Sequence, residues 1–267
     1  MARIYPICSS SSGNCTFIGT RGHGILIDAG CSFSALCNAL AEIGTTPDDI
    51  EALFITHEHS DHIKAVPMIA KKTGIPIFAS AGTIAALMND NRNPLPSGAH
   101  IYDILQESYR SADFLVEGFP ISHDCAQGLG YAVTYGKRRL AVCTDTGYVT
   151  PEAEQKLLGC EAVLLEANYD PELLRRNLRY PPQLKRRIMS EEGHLSNEAA
   201  AEFAVKLALS GTKHFILGHL SRENNTPATA ETCVEKALAA QGFTRERDYT
   251  LIAAPETNLE AMCVALG

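Results

Sequence analysis

The sequence predicts an α/β protein arranged as an αββα sandwich, two mixed β-sheets with helices on both outer faces, and three observations carry that expectation. Short apolar runs bounded by turn residues recur along the chain, strand and helix patterns alternate after about residue 160, and several apolar runs end in a titratable side chain. At 267 residues, without a Pro/Gly/Ser-rich linker, the chain is expected to form a single domain over 1–267.

The elements follow in order. Strands are expected at about 2–8, 14–19 and 24–28, where Gly24-Ile25-Leu26-Ile27-Asp28 runs into Ala29-Gly30. A helix is expected over about 32–43, then a buried strand at 52–56. A second helix spans about 62–73, stopped by Gly74 and Pro76, and a strand returns at 75–79. The Asn-, Pro- and Gly-rich stretch 89–100 is a surface loop. Between about 103 and 144 successive strands suggest a hairpin meander, with Tyr135-Gly136-Lys137 as one turn. Next come a strand at about 161–168, helices within 170–188, and a helix over 196–209. Ser196 caps that last helix, and Glu198 complements its dipole. A strand at about 213–218, a helix over 226–241 and further strands finish the chain.

Composition narrows the class. No apolar run reaches membrane-spanning length, and the first twenty residues lack the apolar region of a signal peptide, so the expected address is the cytoplasm. Nine cysteines without a C-x-x-C or paired spacing are expected to be reduced and mostly to pack as small hydrophobes. The formal charge of −8 argues against a generally basic coat for nucleic acid. One exception is local: Arg175, Arg176, Arg179, Lys185, Arg186 and Arg187 lie in a stretch with no acidic residue. Beside a metal site that stripe would suit a phosphodiester backbone, with Tyr180 able to stack on a base; a solvated helical face is the plainer alternative.

The densest chemistry is Thr56-His57-Glu58-His59-Ser60-Asp61-His62, which leaves the carboxyl end of the 52–56 strand. His57 and His59, alternate residues on an extended segment, can face one ion, while Asp61 and His62, beyond a turn, aim at a second position. Imidazole nitrogens and a carboxylate suit Zn²⁺, and also Mn²⁺ or Fe²⁺. The helix-borne H-E-x-x-H protease pattern is absent, because position 61 is Asp. Three later runs each end in a further donor: Phe119-Pro120-Ile121-Ser122-His123, Leu140-Ala141-Val142-Cys143-Thr144-Asp145 and Phe215-Ile216-Leu217-Gly218-His219. A shared strand-end position lets His123, Asp145 and His219 converge, whereas alternation sets Cys143 about 7 Å back from Asp145, as packing.

H-x-H-x-D-H, a later His, a T-D-x-G Asp and a strand-end His resemble the metallo-β-lactamase-fold hydrolases, from Leu26-Ile27-Asp28-Ala29-Gly30 to Leu217-Gly218-His219-Leu220-Ser221-Arg222. The resemblance implies that His57, His59 and His123 bind one metal and Asp61, His62 and His219 another, with Asp145 bridging and Asp28 ordering the ligand loop. The E-A pair in Glu166-Ala167-Asn168 and the run Gly193-His194-Leu195-Ser196 are similar to elements of transfer-RNA-processing nucleases, where the His contacts the scissile phosphate. A finer match is to the WalJ/YycJ group of bacterial proteins. It rests on Ser11-Ser12-Gly13-Asn14, Asn168-Tyr169-Asp170, Arg179-Tyr180-Pro181-Pro182, Lys185-Arg186-Arg187-Ile188, Gly193-His194-Leu195-Ser196-Asn197-Glu198 and Gly218-His219-Leu220-Ser221-Arg222-Glu223-Asn224-Asn225.

That resemblance implies a 5′-to-3′ DNA exonuclease that uses two divalent ions, Zn or Mn with Fe not excluded, and a metal-bridging hydroxide. Asp61 would orient the hydroxide and His194 would serve as general acid. Asn14, Asn168, Arg179, Lys185, Arg186, Arg187, Ser221 and Arg222 are candidates for binding DNA. Two other readings stay open: a small-molecule hydrolase of the same fold acting on a cyclic phosphodiester, lactone or thioester, and a metal-dependent sensor or scaffold without turnover. A homodimer is neither required nor excluded by these patterns.

Overall fold

The computed structural model describes residues 2–106, 108–258 and 262–265. In chain order the first elements are β1 (Arg3–Ser10), β2 (Gly13–Thr20), β3 (His23–Ile27), α1 (Phe33–Glu42), β4 (Ile50–Phe54), α2 (Ser60–Ile63), α3 (Val66–Thr73), β5 (Ile77–Ala79), α4 (Ala81–Met88) and β6 (Ile101–Asp103). Then come β7 (Tyr109–Arg110), β8 (Phe114–Pro120), β9 (Leu129–Tyr135), β10 (Arg138–Cys143), α5 (Pro151–Leu157), β11 (Ala162–Glu166), α6 (Pro171–Arg176) and α7 (Pro182–Ile188). The remaining elements are α8 (Asn197–Leu209), β12 (His214–Gly218), α9 (Pro227–Ala240), β13 (Thr250–Ala253) and β14 (Val264–Ala265).

Among the described residues the strands form two seven-stranded mixed sheets, ordered β14-β1-β2-β3-β4-β5-β6 and β13-β12-β11-β10-β9-β8-β7, flanked by helices. In the first, β3, β4, β5 and β6 run parallel. In the second, β10, β11, β12 and β13 run parallel. Parallel neighbours need crossovers, and these are supplied by α1, by α2 with α3, and by the later helices. No helix among the described residues is long and apolar enough to cross a membrane.

Two compact units are distinguished, one of Met1–Gly118, Cys125–Leu129 and Pro255–Gly267, the other of Phe119–Asp124 and Gly130–Ala254. Each has its own core. In the first, Tyr5, Phe17, Leu26, Leu53 and Ile77 from the sheet pack with Leu36, Leu40, Val66 and Ile69 from the helices. In the second, Val163, Leu165, Phe215, Leu217 and Leu251 pack with Leu157, Phe203, Leu207, Val234 and Leu238. Burial of each such side chain contributes about 1.5–3 kcal/mol.

The structure departs from the sequence expectation in several places. The helix expected over 62–73 is broken into α2 and α3, because Pro67 in the first turn of α3 has no N–H and the Ala65 amide donates to the Ala29 carbonyl at 2.8 Å. α4 and α5 were not foreseen, although Ser80 and Thr150 accept from the amides of Thr83 and Ala153 as regular N-caps. Both helices are short, so periodicity gave them little weight. Finally, β4 ends at Phe54, two residues before the expected 56, because the Thr56 amide leaves the ladder to donate to Asp28.

The parallel strands put chemistry at their carboxyl ends: Asp28 after β3, Thr56-His57 after β4, Asp145 after β10, Glu166 at the end of β11 and His219 after β12. Three of these residues, Asp28, Asp145 and His219, have positive φ of 59°, 56° and 54°. A side-chain-bearing residue in that region costs roughly 1–2 kcal/mol, so surrounding contacts must hold all three there.

Candidate metal centre

In the first unit the loop carrying His57, His59, Asp61 and His62 is tied down by Asp28, which is 3% exposed. The Thr56 amide donates to Asp28 Oδ1 and the Thr56 hydroxyl to Oδ2, each at 2.8 Å. His62 Nδ1 donates to Oδ2 at 2.7 Å. Because the Thr56 hydroxyl proton is committed to Asp28, its oxygen accepts from His57 Nδ1 at 3.0 Å. Burial pushes the Asp28 carboxyl up, while His62 and Thr56 pull against that shift.

These bonds fix tautomers. With Nδ1 of His57 and of His62 each bound to an oxygen, the lone pair of each ring sits on Nε2. Asn14 Nδ2 donates to His62 Nε2 at 3.0 Å and to Asp61 Oδ2 at 3.4 Å, anchored in turn to the Ser10 carbonyl at 2.9 Å. His57 Nε2 and His59 Nδ1 lie 3.0 Å apart. Two imidazole nitrogens held about 2.0–2.1 Å from one ion at an angle of about 90–109° are separated by about 2.9–3.4 Å, so this pair fits a divalent metal. Close packing sets the loop height: a Cβ on Gly30 would stand 1.6 Å from the Asp61 carbonyl oxygen and 2.6 Å from the Asn14 amide nitrogen.

In the second unit Glu166, fully buried, plays the part that Asp28 plays in the first. Its Oε2 accepts from the amides of Thr146 at 2.8 Å and Leu195 at 3.1 Å. Its Oε1 lies 2.9 Å from Nδ1 of both His194 and His219. Burial opposes charge on Glu166, but the two imidazoles outweigh it and hold the carboxyl below its ordinary value. His219 Nδ1 is also 3.2 Å from Asp145 Oδ1, and Asn168 Nδ2 donates to the His219 carbonyl at 2.7 Å. His123 Nδ1 donates to the Gly193 carbonyl at 3.1 Å, which turns its Nε2 toward Asp145 Oδ1 at 3.8 Å. One donor atom from each of Asp145, Glu166, His194 and His219 lies within 4.8 Å of all the others. A set of imidazoles and carboxylates this close fits a borderline-to-hard divalent cation.

Sequence-derived site residues thus fall into two groups. His57, His59, Asp61 and His62 gather in the first unit; His123, Asp145, His194 and His219 gather in the second. Glu166 was noted only as part of a short motif, and its strand-end position, shared with Asp145 and His219, was the available signal. Asn14 and Asn168 are each 5% exposed and hold ligand-bearing segments. Ser221 Oγ accepts from the Asn224 amide at 3.2 Å, and Arg222 is exposed. Cys143 is buried in the core, which pushes its thiol up.

Four arginines of the basic stripe face carboxylates in the structure. Glu172, one turn earlier on α6, pairs with Arg175 and Arg176, while the fold brings the sequence-distant Glu223 to Arg179 at 2.9 Å and Asp124 to Arg187. Lys185 Nζ donates to the Arg175 carbonyl at 2.7 Å, and Arg186 is exposed.

Residues 23–220 match the family described as the Beta-lactamase superfamily domain. Exodeoxyribonuclease YycJ of Bacillus anthracis is 36% identical over 237 residues, covering 89% of each chain. Exodeoxyribonuclease WalJ of Streptococcus pneumoniae strain D39 is 37% identical over 235 residues, covering 87% of each. The crystal structure of Zn²⁺-bound PqqB from Methylobacterium extorquens aligns with a TM-score of 0.71 over 99% of this chain and 100% of that one; at 15% identity it speaks to the fold alone.

Proposed function

From the membership of this chain in the metallo-β-lactamase superfamily, within the WalJ/YycJ-like group, we infer that it is a metal-dependent nuclease, and specifically a 5′-to-3′ DNA exonuclease. The observation that carries this reading is 36–37% identity across most of the chain to proteins named exodeoxyribonucleases.

The proposed ligands are His57, His59, Asp61 and His62 of the first unit and His123, Asp145 and His219 of the second, for two divalent ions, Zn²⁺ or Mn²⁺. When bound, such ions make hydroxide available at neutral pH and polarise a phosphate oxygen. The chain's own groups supply the rest. Asp61, steadied by Asn14, orients the attacking oxygen. Asp28 and Glu166 hold imidazoles in the tautomer that leaves Nε2 as donor atom. His194 is only partly buried, 17% of its side chain being exposed, and the Glu166 carboxylate 2.9 Å from Nδ1 fixes the orientation of its ring. Its Nε2 proton is the one delivered to the leaving oxygen, so His194 acts as general acid. Asn168 steadies His219, and exposed Arg186 and Arg222 contribute attraction for the phosphodiester backbone.

The carboxylates facing Arg175, Arg176, Arg179 and Arg187 favour one alternative, a small phosphodiester substrate, because they cut the net charge of the stripe. Rates on single-stranded DNA and on bis(p-nitrophenyl) phosphate separate the two. The exonuclease reading expects processing of DNA to dominate and to weaken with salt. Turnover of the small ester alone supports the alternative.

A further inference from the structure

Three thiols meet beneath the ligand loop of the first unit, outside the groups assigned above. Cys8 and Cys15 are direct partners across β1 and β2, beside the register shift between Pro6 and Cys8. Both are buried in the core, and partly exposed Cys31 packs against the same cluster. The Gly30 amide, one residue before Cys31, bonds the carbonyl of Asn14, one residue before Cys15, so the two cysteines sit on adjoining backbone. The thiol of Cys15 is the strongest influence drawing Cys31 down, to about 4; Cys8 adds to it, burial opposes, and the Lys64 ammonium also helps. Cys31 and burial push Cys8 and Cys15 up. A low-pKa, partly accessible thiolate beside resolving thiols is the arrangement that oxidises selectively.

The position gives oxidation a consequence. Cys15 follows Asn14, whose Nδ2 holds His62 and Asp61. Cys31 follows Gly30, whose amide donates to the Asn14 carbonyl at 2.8 Å and whose missing Cβ makes room for the Asp61 carbonyl. Ala29, one residue earlier, receives the Ala65 amide and donates to the His62 carbonyl, both at 2.8 Å. A bond between Cys31 and either strand thiol therefore pulls on the backbone that seats Asp61 and His62.

We propose that Cys31 is a hydroperoxide-reactive site that closes a disulfide with Cys15 or Cys8 and thereby loosens the metal-ligand loop. In the first step the Cys31 sulfur attacks the peroxide. An S–O bond forms, the O–O bond breaks, and the departing oxygen leaves as alkoxide or hydroxide and takes a proton. The sulfur is oxidised by two electrons and the peroxide is reduced. In the second step a neighbouring thiol attacks that sulfur, the S–S bond forms, and the S–O bond breaks with loss of water, which carries away the thiol proton. A dithiol reductant reverses the change.

The site is tested on the full chain treated with stoichiometric hydrogen peroxide, alkylated, digested and mapped by mass spectrometry, with bound metal measured in parallel. The expected result is a cross-linked peptide joining Cys31 to Cys15 or Cys8, loss of two hydrogens per chain, and lower metal retention that dithiothreitol restores. Before oxidation, alkylation at about pH 6 runs at least about tenfold faster at Cys31 than at Cys263. Cys31→Ser abolishes the cross-link and the metal loss, while Cys37→Ser keeps both. A Cys31 that stays fully alkylatable while Cys263 and Cys37 oxidise overturns the proposal, and so does a cross-link with unchanged metal retention. The mapping is read on the wild-type chain and does not depend on nuclease activity.

Discussion

Nδ1 of His194 lies 2.9 Å from Oε1 of Glu166, a carboxylate with no exposure to solvent. The same oxygen is 2.9 Å from His219, and Oε2 accepts two backbone amides, so Glu166 ties a proposed acid and a proposed ligand to the loops after β10 and before α8. His194→Ala is expected to keep the metals and lose most turnover. Glu166→Gln is expected to lose about 10–100-fold in both activity and metal affinity. It also lowers the melting temperature, because the new NH2 faces either the Thr146 and Leu195 amides or the Nδ1 atoms of His194 and His219. Metal analysis beside kinetics separates the two variants; metal loss in His194→Ala would make that residue a ligand.

Asp28 does the corresponding work in the first unit, accepting from the Thr56 amide, the Thr56 hydroxyl and His62 Nδ1. Asp28→Asn retains the volume but puts an NH2 in place of one carboxylate oxygen, against at least one of the three hydrogens that point there. Metal affinity is expected to fall about 10–100-fold, measured by competition with a chelating indicator. Affinity equal to wild type would show that His62 needs no such partner.

Helix α7 offers a test of charge against architecture. Arg186 is exposed, whereas Arg187 is paired with Asp124, the neighbour of His123. Arg186→Ala is expected to reduce the slope of log affinity for DNA against log salt by about 1, with no effect on bis(p-nitrophenyl) phosphate. Arg187→Ala is expected to slow both substrates, because it releases Asp124 beside a proposed ligand. Equal behaviour of the two variants would remove the distinction.

His214, at the start of β12, has Nδ1 2.8 Å from the Thr250 hydroxyl, and burial holds its imidazole below the ordinary value against the pull of Glu161. Below about pH 6.5 the unfolded chain binds a proton that the folded chain resists. The stabilising contribution is therefore complete above that pH and is lost as pH falls through the folded value. His214→Gln is expected to show a smaller drop in melting temperature between about pH 7 and about pH 5 than the wild type. Parallel curves would place the acid sensitivity elsewhere.

The sequence made the candidate metal-binding residues visible because H-x-H-x-D-H and the strand-end His123, Asp145 and His219 are local patterns, and the two mixed sheets followed from alternating strands and helices. What lay hidden was tertiary. Nothing near Arg179 or Arg187 in sequence announces Glu223 or Asp124, and the salt bridges appear only when distant loops meet. Glu166 was visible as a motif, but its grip on two histidines depends on β11 and β12 lying side by side. Asn14 and Asn168, candidates for binding DNA by their motifs, are buried, and their side chains bond His62 and the His219 carbonyl, contacts that sequence does not announce. The break between α2 and α3 had a local cause in Pro67, outweighed in the reading by the apolar periodicity on either side.

The central claim is metal-dependent removal of nucleotides from a 5′ end. Metal-reconstituted protein and His59→Ala are incubated with end-labelled single- and double-stranded DNA and RNA, and products are resolved over time. The account expects DNA to shorten progressively from the 5′ end with the wild type and to persist with His59→Ala. Polymers left intact by wild-type protein of confirmed metal content would contradict it.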